Sequence, residues 1–373
     1  MSSGSVRTSA PEDMRELVRQ RRIIVCCGSG GVGKTTTAAA FGLEGARLGR
    51  KTVVVTIDPA KRLADALGLG LDGLSDRPRR IDGDWSGELW ATMLDTKSTF
   101  DALVVKHAAT PEQAQRILAN RFYRNISGAL SGTQEYMAME KLYELHEETD
   151  FDLVVVDTPP TRHALDFLDA PRRLSRFLEH RLFRVLMAPS RGFVRAVNVA
   201  AQTFLRTVSK VVGGEVVDDA IAFFRAFEGM EEGFRARAQR VNELLASPQT
   251  AFVLVASPQR DTVDEAHFFA HRLREAGIAV QGLVLNRMHP TFTDGLPEAL
   301  AERATTLAGS EIGDLYHNLA DMALIARSET QHVAGLADAV APAPLVRVPF
   351  LGGDVHDVAG MADVAGYVFR RPG

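Results

Sequence analysis

Cysteine is nearly absent from this chain: there are two in 373 residues, and they are neighbours, Cys26 and Cys27. Both fall in an apolar run that reads as a buried strand, where adjacent side chains point to opposite faces. That excludes a disulfide framework, and with it a zinc site built from cysteine pairs. A reducing, cytosolic compartment is the expectation. No apolar run reaches the ~18 residues a membrane-spanning helix needs. The segment Met1 to Ala10 is rich in Ser, Thr and Gly and has no apolar core, so it reads as a flexible tail and not as a secretory signal. Excess positive charge is missing as well. The net charge of −4 argues against a generally nucleic-acid-binding surface. No internal repeat and no long low-complexity linker is present.

What is there begins with an ordinary soluble composition, 46% hydrophobic and 24% charged. The length exceeds what one simple core usually supports, so a main domain with a subdomain is expected. Apolar, largely β-branched runs recur at Ile23–Cys27, Thr52–Ile57, Leu89–Leu94, Leu153–Val156, Ala251–Ala256, Val280–Leu285 and Leu345–Val348. Continuous runs of this kind, separated by helical patterns, predict an α/β fold with a mostly parallel sheet flanked by helices. Pro11 to Arg22 suggests a short leading helix. Between 96 and 149, and again between 172 and 245, the pattern is helical without a strand candidate. These two stretches form the expected inserted helical subdomain. The segments 11–95, 150–171 and 246–373 form the expected core.

The first strand runs into Gly28-Ser29-Gly30-Gly31-Val32-Gly33-Lys34-Thr35, a match to G-x-x-x-x-G-K-[ST]. Strand, glycine loop, helix is the context in which this phosphate-binding pattern is meaningful. The glycines let the backbone wrap a phosphate, and N–H groups at the helix start, Thr36 included, point at it. Lys34 is expected to reach the β- and γ-phosphates, and Thr35 to bind Mg²⁺.

Two aspartates end later strands, Asp58 in Thr56-Ile57-Asp58-Pro59-Ala60 and Asp157 in Val156-Asp157-Thr158-Pro159-Pro160. Ligands of open parallel sheets sit beyond the carboxyl ends of the strands, so both fall beside the loop. Asp157 is expected to hold Mg²⁺ through water. Asp58 is expected to orient the attacking water or accept its proton. The competing readings are a helix cap for Asp157 and a turn aspartate for Asp58. Guanine recognition calls for Asn/Thr-Lys-x-Asp after a late strand. Asn286 is followed by Arg287-Met288 instead, so ATP is the expected nucleotide, with Asn286 at the adenine edge or simply ending a strand.

Together, the glycine loop, Thr56-Ile57-Asp58-Pro59-Ala60-Lys61-Arg62 and Asp157-Thr158-Pro159-Pro160-Thr161-Arg162-His163 resemble the ArsA-type P-loop ATPases. That family includes arsenical pump ATPases and ATPases that target tail-anchored membrane proteins. The resemblance implies that Asp58 lies in switch I, and that Asp157, Pro159 and Thr161 lie in switch II. It implies that Pro349 and Phe350 form a second base-contacting loop, and that the protein works as a dimer closing on ATP. Family members usually carry lysine at the position of Ser29, where it reaches the partner's nucleotide. Serine has no such charge. Either hydrolysis is slow, or another cation serves, or the partner supplies the lysine, so the expected assembly is a homodimer or a heterodimer with a lysine-bearing paralogue. The thiolate metalloid site of the pumps and the Cys-x-x-Cys pair of the eukaryotic targeting ATPases are both missing.

From Arg172 to Val212 nine basic residues stand against one acid, Glu179, a local charge of +8. With helically spaced apolar residues such as Leu174, Phe177, Leu178 and Leu182, this reads as a surface for a client membrane protein or anionic lipid. The competing reading is a solvated face paired with acids downstream. The expected protein is thus a cytoplasmic ATPase, in part peripheral to membranes, with no nucleic-acid partner.

Overall fold

A computed structural model describes residues 13–57, 62–69, 74–126, 133–159 and 214–370. The chain divides into two units, one of residues 1–93, 145–165 and 246–373, the other of residues 94–144 and 166–245.

The first unit is built on one eight-stranded sheet. Its strands are β1 (Ile23–Cys27), β2 (Lys51–Thr56), β3 (Arg79–Ile81), β4 (Glu88–Met93), β5 (Leu153–Asp157), β6 (Thr250–Ala256), β7 (Val280–Met288) and β8 (Leu345–Pro349). Their order is β3-β4-β2-β5-β1-β6-β7-β8. Every neighbouring pair is parallel except β3 with β4. The central strands β1, β5 and β6 are buried at every position, which is why they read as unbroken apolar runs.

Helices cover both faces. They are α1 (Met14–Gln20), α2 (Lys34–Arg47), α3 (Arg62–Ala66) and, late in the chain, α10 (Arg260–Glu275), α11 (Pro297–Thr306), α12 (Glu311–Val340) and α13 (Val358–Val368). The leading helix α1 starts at Asp13, whose carboxylate accepts the Glu16 N–H at 2.7 Å. α2 lies close on the sheet because its inward face is small. A Cβ at Gly42 would stand 2.3 Å from Val54 Cγ2. Phe41 fills the space beside it and meets Phe369 edge-to-face at 5.1 Å, tying α13 to α2.

The second unit is helical among the described residues. It holds α4 (Thr96–His107), α5 (Pro111–Ala119), α6 (Arg121–Ile126), most of α7 (Thr133–Glu147), α8 (Gly214–Ala226) and α9 (Glu231–Leu245). Asp95 and Thr110 cap α4 and α5 by accepting the Ser98 and Gln113 N–H groups. Its core is aromatic: Tyr123, Phe223, Phe227 and Phe234 are buried and in ring contact. One ion pair is buried with them. Arg237 Nε donates to Glu140 Oε2 at 2.7 Å, and Tyr136 donates to the other carboxylate oxygen at 2.7 Å. Burial pushes the Glu140 carboxyl up, and these two donors oppose the shift. The basic stretch from Arg172 to Val212 lies outside the described residues.

Phe41→Ala should lower stability by about 3–5 kcal/mol, because the emptied site is enclosed by the sheet and Phe369. The unfolding midpoint in urea, compared with wild type, checks this.

Candidate functional site

At the carboxyl end of β1 the backbone turns through Gly28, Gly31 and Gly33 at φ 155°, 74° and 91°. Two of these glycines are needed for close approach. A Cβ on Gly28 would lie 2.1 Å from the Val255 carbonyl oxygen, and one on Gly33 would lie 2.1 Å from Asn286 Nδ2. Gly31 has open space beside it. Val32 is buried and anchors the loop from below, while Gly30 is exposed. The loop hands over to α2, which has no side-chain cap and no acid in its first turn. No N-cap side chain claims its first turn, and the helix dipole favours an anion there.

Lys34 is 5% exposed, and its Nζ donates to the Ser29 carbonyl at 2.6 Å, folding the ammonium back along the loop. Thr35 Oγ1 donates to Asp157 Oδ2 at 2.8 Å. Thr56, the last residue of β2, donates to the same oxygen at 2.9 Å. Thr158 turns its hydroxyl back to the Cys26 carbonyl at 2.8 Å, fixing the chain just past Asp157. Pro159 follows, half-buried.

A cavity of about 350 Å³ opens beside Lys34, Thr35 and Thr158, and Asp157 lies behind its wall. Gly31, Gly33, Lys34, Thr35 and Thr36 line it from the loop, Arg62, Asp65 and Ala66 from α3, and Thr158, Arg287 and Val355 complete it. Among the described residues no group of three or more His, Cys, Asp or Glu side chains forms a metal cluster. A hydroxyl beside a carboxylate is nonetheless a hard-oxygen pair suited to Mg²⁺, which keeps several waters and takes few protein ligands. Thr35 and Asp157 fit that ion.

Other expected residues lie elsewhere. Asp58 and Thr161 are outside the described residues. Asn286 Nδ2 donates to the Val32 carbonyl at 2.9 Å, and its Oδ1 accepts the Arg287 N–H, so its amide braces the loop. Pro349 ends β8 opposite Met288, and the Phe350 N–H donates to the Met288 carbonyl at 2.8 Å. Neither residue lines the cavity. The Phe350 ring is 58% exposed and lies parallel to the His289 ring, with centroids 5.9 Å apart. Glu329 on α12 accepts from both the backbone N–H and the ring nitrogen Nδ1 of His289. Sequence reasoning passed over His289, Arg287 and Glu329. A Gly-loop search has no reason to stop at them.

Ser29 is 3% exposed, and its hydroxyl has no hydrogen-bond partner among the described residues. Both cysteines are fully enclosed. Burial pushes the Cys27 thiol up to about 12, against the pull of Lys34, and it pushes Cys26 up well above the ordinary range, helped by Asp157. Neither is a thiolate near neutral pH. Iodoacetamide at pH 8 should therefore leave the native protein unmodified and add two groups after denaturation, as counted by intact mass.

The comparisons agree with this geometry. The chain matches the model of the anion-transporting ATPase family over residues 21–325. It is 24% identical over 280 residues to a putative arsenical pump-driving ATPase 2 of Aquifex aeolicus, covering 72% of this chain and 81% of that protein. It is 25% identical over 289 residues to ATPase GET3 of Malassezia globosa, covering 76% and 78%. It is also 25% identical over 312 residues to ATPase get3 of Schizosaccharomyces japonicus, covering 83% and 88%. With its glycine loop, its strand-end Asp157 and its parallel sheet in place, the chain belongs to the anion-transporting, or ArsA-type, ATPase family.

Proposed function

We propose that this protein is a Mg²⁺-dependent ATP hydrolase that couples nucleotide state to the shape of its helical unit. The observation that carries the reading is the 2.8 Å bond from Thr35 to Asp157 beneath an uncapped helix start. The Thr35 hydroxyl borders the cavity together with Gly31, Gly33 and Lys34, and the enclosed Asp157 carboxylate stands directly behind it, which supports this reading.

In this reading the amides of Gly30 to Lys34 and the Lys34 ammonium hold the β- and γ-phosphates. Thr35 and Asp157 hold Mg²⁺, which neutralises phosphate charge when bound. Asp58 orients water and takes its proton as the new oxygen–phosphorus bond forms. The bond from the γ-phosphorus to the bridging oxygen breaks, and ADP leaves. The second hydrogen of the Asn286 amide and the exposed Phe350 ring are available to the adenine. Pro159 and Thr161 relay phosphate state. Chain connectivity supports the coupling: Leu165 ends this unit's share of the segment eight residues after Asp157, and Met93 ends it after β4. The chain thus passes into the helical unit once after β4 and once after β5.

The partners proposed are a second copy or a lysine-bearing paralogue, with a membrane-protein client or an anionic membrane surface at the helical unit. The named activities of the relatives, arsenical pump driving among them, support a membrane-linked task. Among the described residues no helix is long and apolar enough to cross a membrane. We place the protein in the cytoplasm, peripheral to membranes.

A second reading, a weakly hydrolysing regulatory or scaffold protein, has one observation in its favour. Ser29 is neutral and enclosed at the position where the family resemblance implies a lysine, so position 29 itself has no cation to offer a partner. Steady-state hydrolysis alone and with a lysine-bearing paralogue separates the two. At least tenfold stimulation by the paralogue supports the second.

Lys34→Ala and Asp58→Asn should each cut Mg-ATP turnover by at least about 100-fold. Phosphate release by the purified variants measures this, and wild-type-like turnover in either would refute the roles given.

A further inference from the structure

The glycine loop brings one side-chain cation, Lys34, and Ser29 adds none. Two guanidinium side chains nevertheless border its cavity, Arg62 and Arg287. Arg287 reaches it by an irregular backbone. β7 and β8 stay in register up to Leu285 opposite Arg347, and pairing resumes at Met288 opposite Pro349. Three steps along β7 thus face two along β8, a one-residue bulge. Bulges break the alternation of side chains and re-aim them. Asn286 and Arg287 take up the extra length. The Asn286 amide turns to the Val32 carbonyl, and Arg287 adopts φ 61°. It is the one non-glycine residue at positive φ among the described residues. That conformation is unfavourable for an arginine, and it leaves the side chain exposed, without an ion pair to a described residue.

A cation with no ion pair among the described residues, held by a strained backbone on the wall of the cavity, is a binding group more than a packing group. We propose that Arg287 is a phosphate-binding residue of the nucleotide site, contacting phosphate oxygens that Lys34 leaves unneutralised. The inference rests on the nucleotide reading of the cavity. A triphosphate carries more charge than one ammonium offsets, and the guanidinium fork suits two phosphate oxygens at once. The bond from Asn286 to the loop holds the bulge in step with it, so both cations approach the ligand on one rigid frame.

Asparagine tolerates the left-handed backbone, so Arg287→Asn removes the charge while keeping the bulge. Arg287→Lys keeps a charge without the fork. Calorimetry with Mg-ATP and with Mg-tripolyphosphate, which lacks the nucleoside, reads the effect. Arg287→Asn should weaken both ligands roughly 10- to 100-fold, with a melting midpoint at or above wild type, and Arg287→Lys should fall between. Two results would overturn the inference alone: binding of both ligands by Arg287→Asn within about twofold of wild type, or a loss confined to Mg-ATP, which puts the side chain on the nucleoside. A wild-type protein that takes up neither ligand overturns the nucleotide reading and this inference together.

Discussion

One carboxylate oxygen holds the site together. Asp157 Oδ2 accepts from Thr35 in the first turn of α2 and from Thr56 at the end of β2. β5 can supply that atom because the sheet places it between β1 and β2. The pairing Cys26 opposite Asp157, and Thr56 opposite Asp157, sets all three chain ends at one level. With Asp157 1% exposed, its charge must be met by close donors. The position of the helix start, the end of the second strand and the chain leaving β5 are then not independent.

The loop itself is fixed from two sides distant in sequence. Val255 on β6 crowds Gly28, and Asn286 on β7 crowds Gly33 and holds the Val32 carbonyl. A loop whose amides must face an anion cannot also satisfy its own carbonyls with those amides. Side chains from elsewhere do part of that work, and the Lys34 ammonium does another part at Ser29. The helix start fits this arrangement: α1, α4, α5, α12 and α13 have side-chain caps, whereas α2, like α10 and α11, has none.

The central strands were legible because burial on both faces writes itself as unbroken Val, Ile and Leu. β3 was not: two of its three residues are arginine, and it pairs antiparallel at an edge where water is available. The glycine loop and the strand-end Asp157 could be read because local spacing alone defines them. The bracing bond of Asn286 could not, since its acceptor lies 254 residues away. The bulge that aims Arg287 is a mismatch between two strands, and neither strand's sequence carries it alone. In the helical unit the apolar periodicity announced helices, but the Glu140–Arg237 pair joins segments 97 positions apart and needs the fold to exist.

That buried pair constrains how the helical unit can move. Glu140 on α7 and Arg237 on α9 are 1% and 7% exposed, with the guanidinium stacked 3.7 Å over Tyr143. Prising the two helices apart would strand an ionised group in an apolar interior, at a cost of about 3–5 kcal/mol. α7 and α9 therefore travel as a single body, and any rearrangement inside the unit has to pivot around this joint and leave it closed.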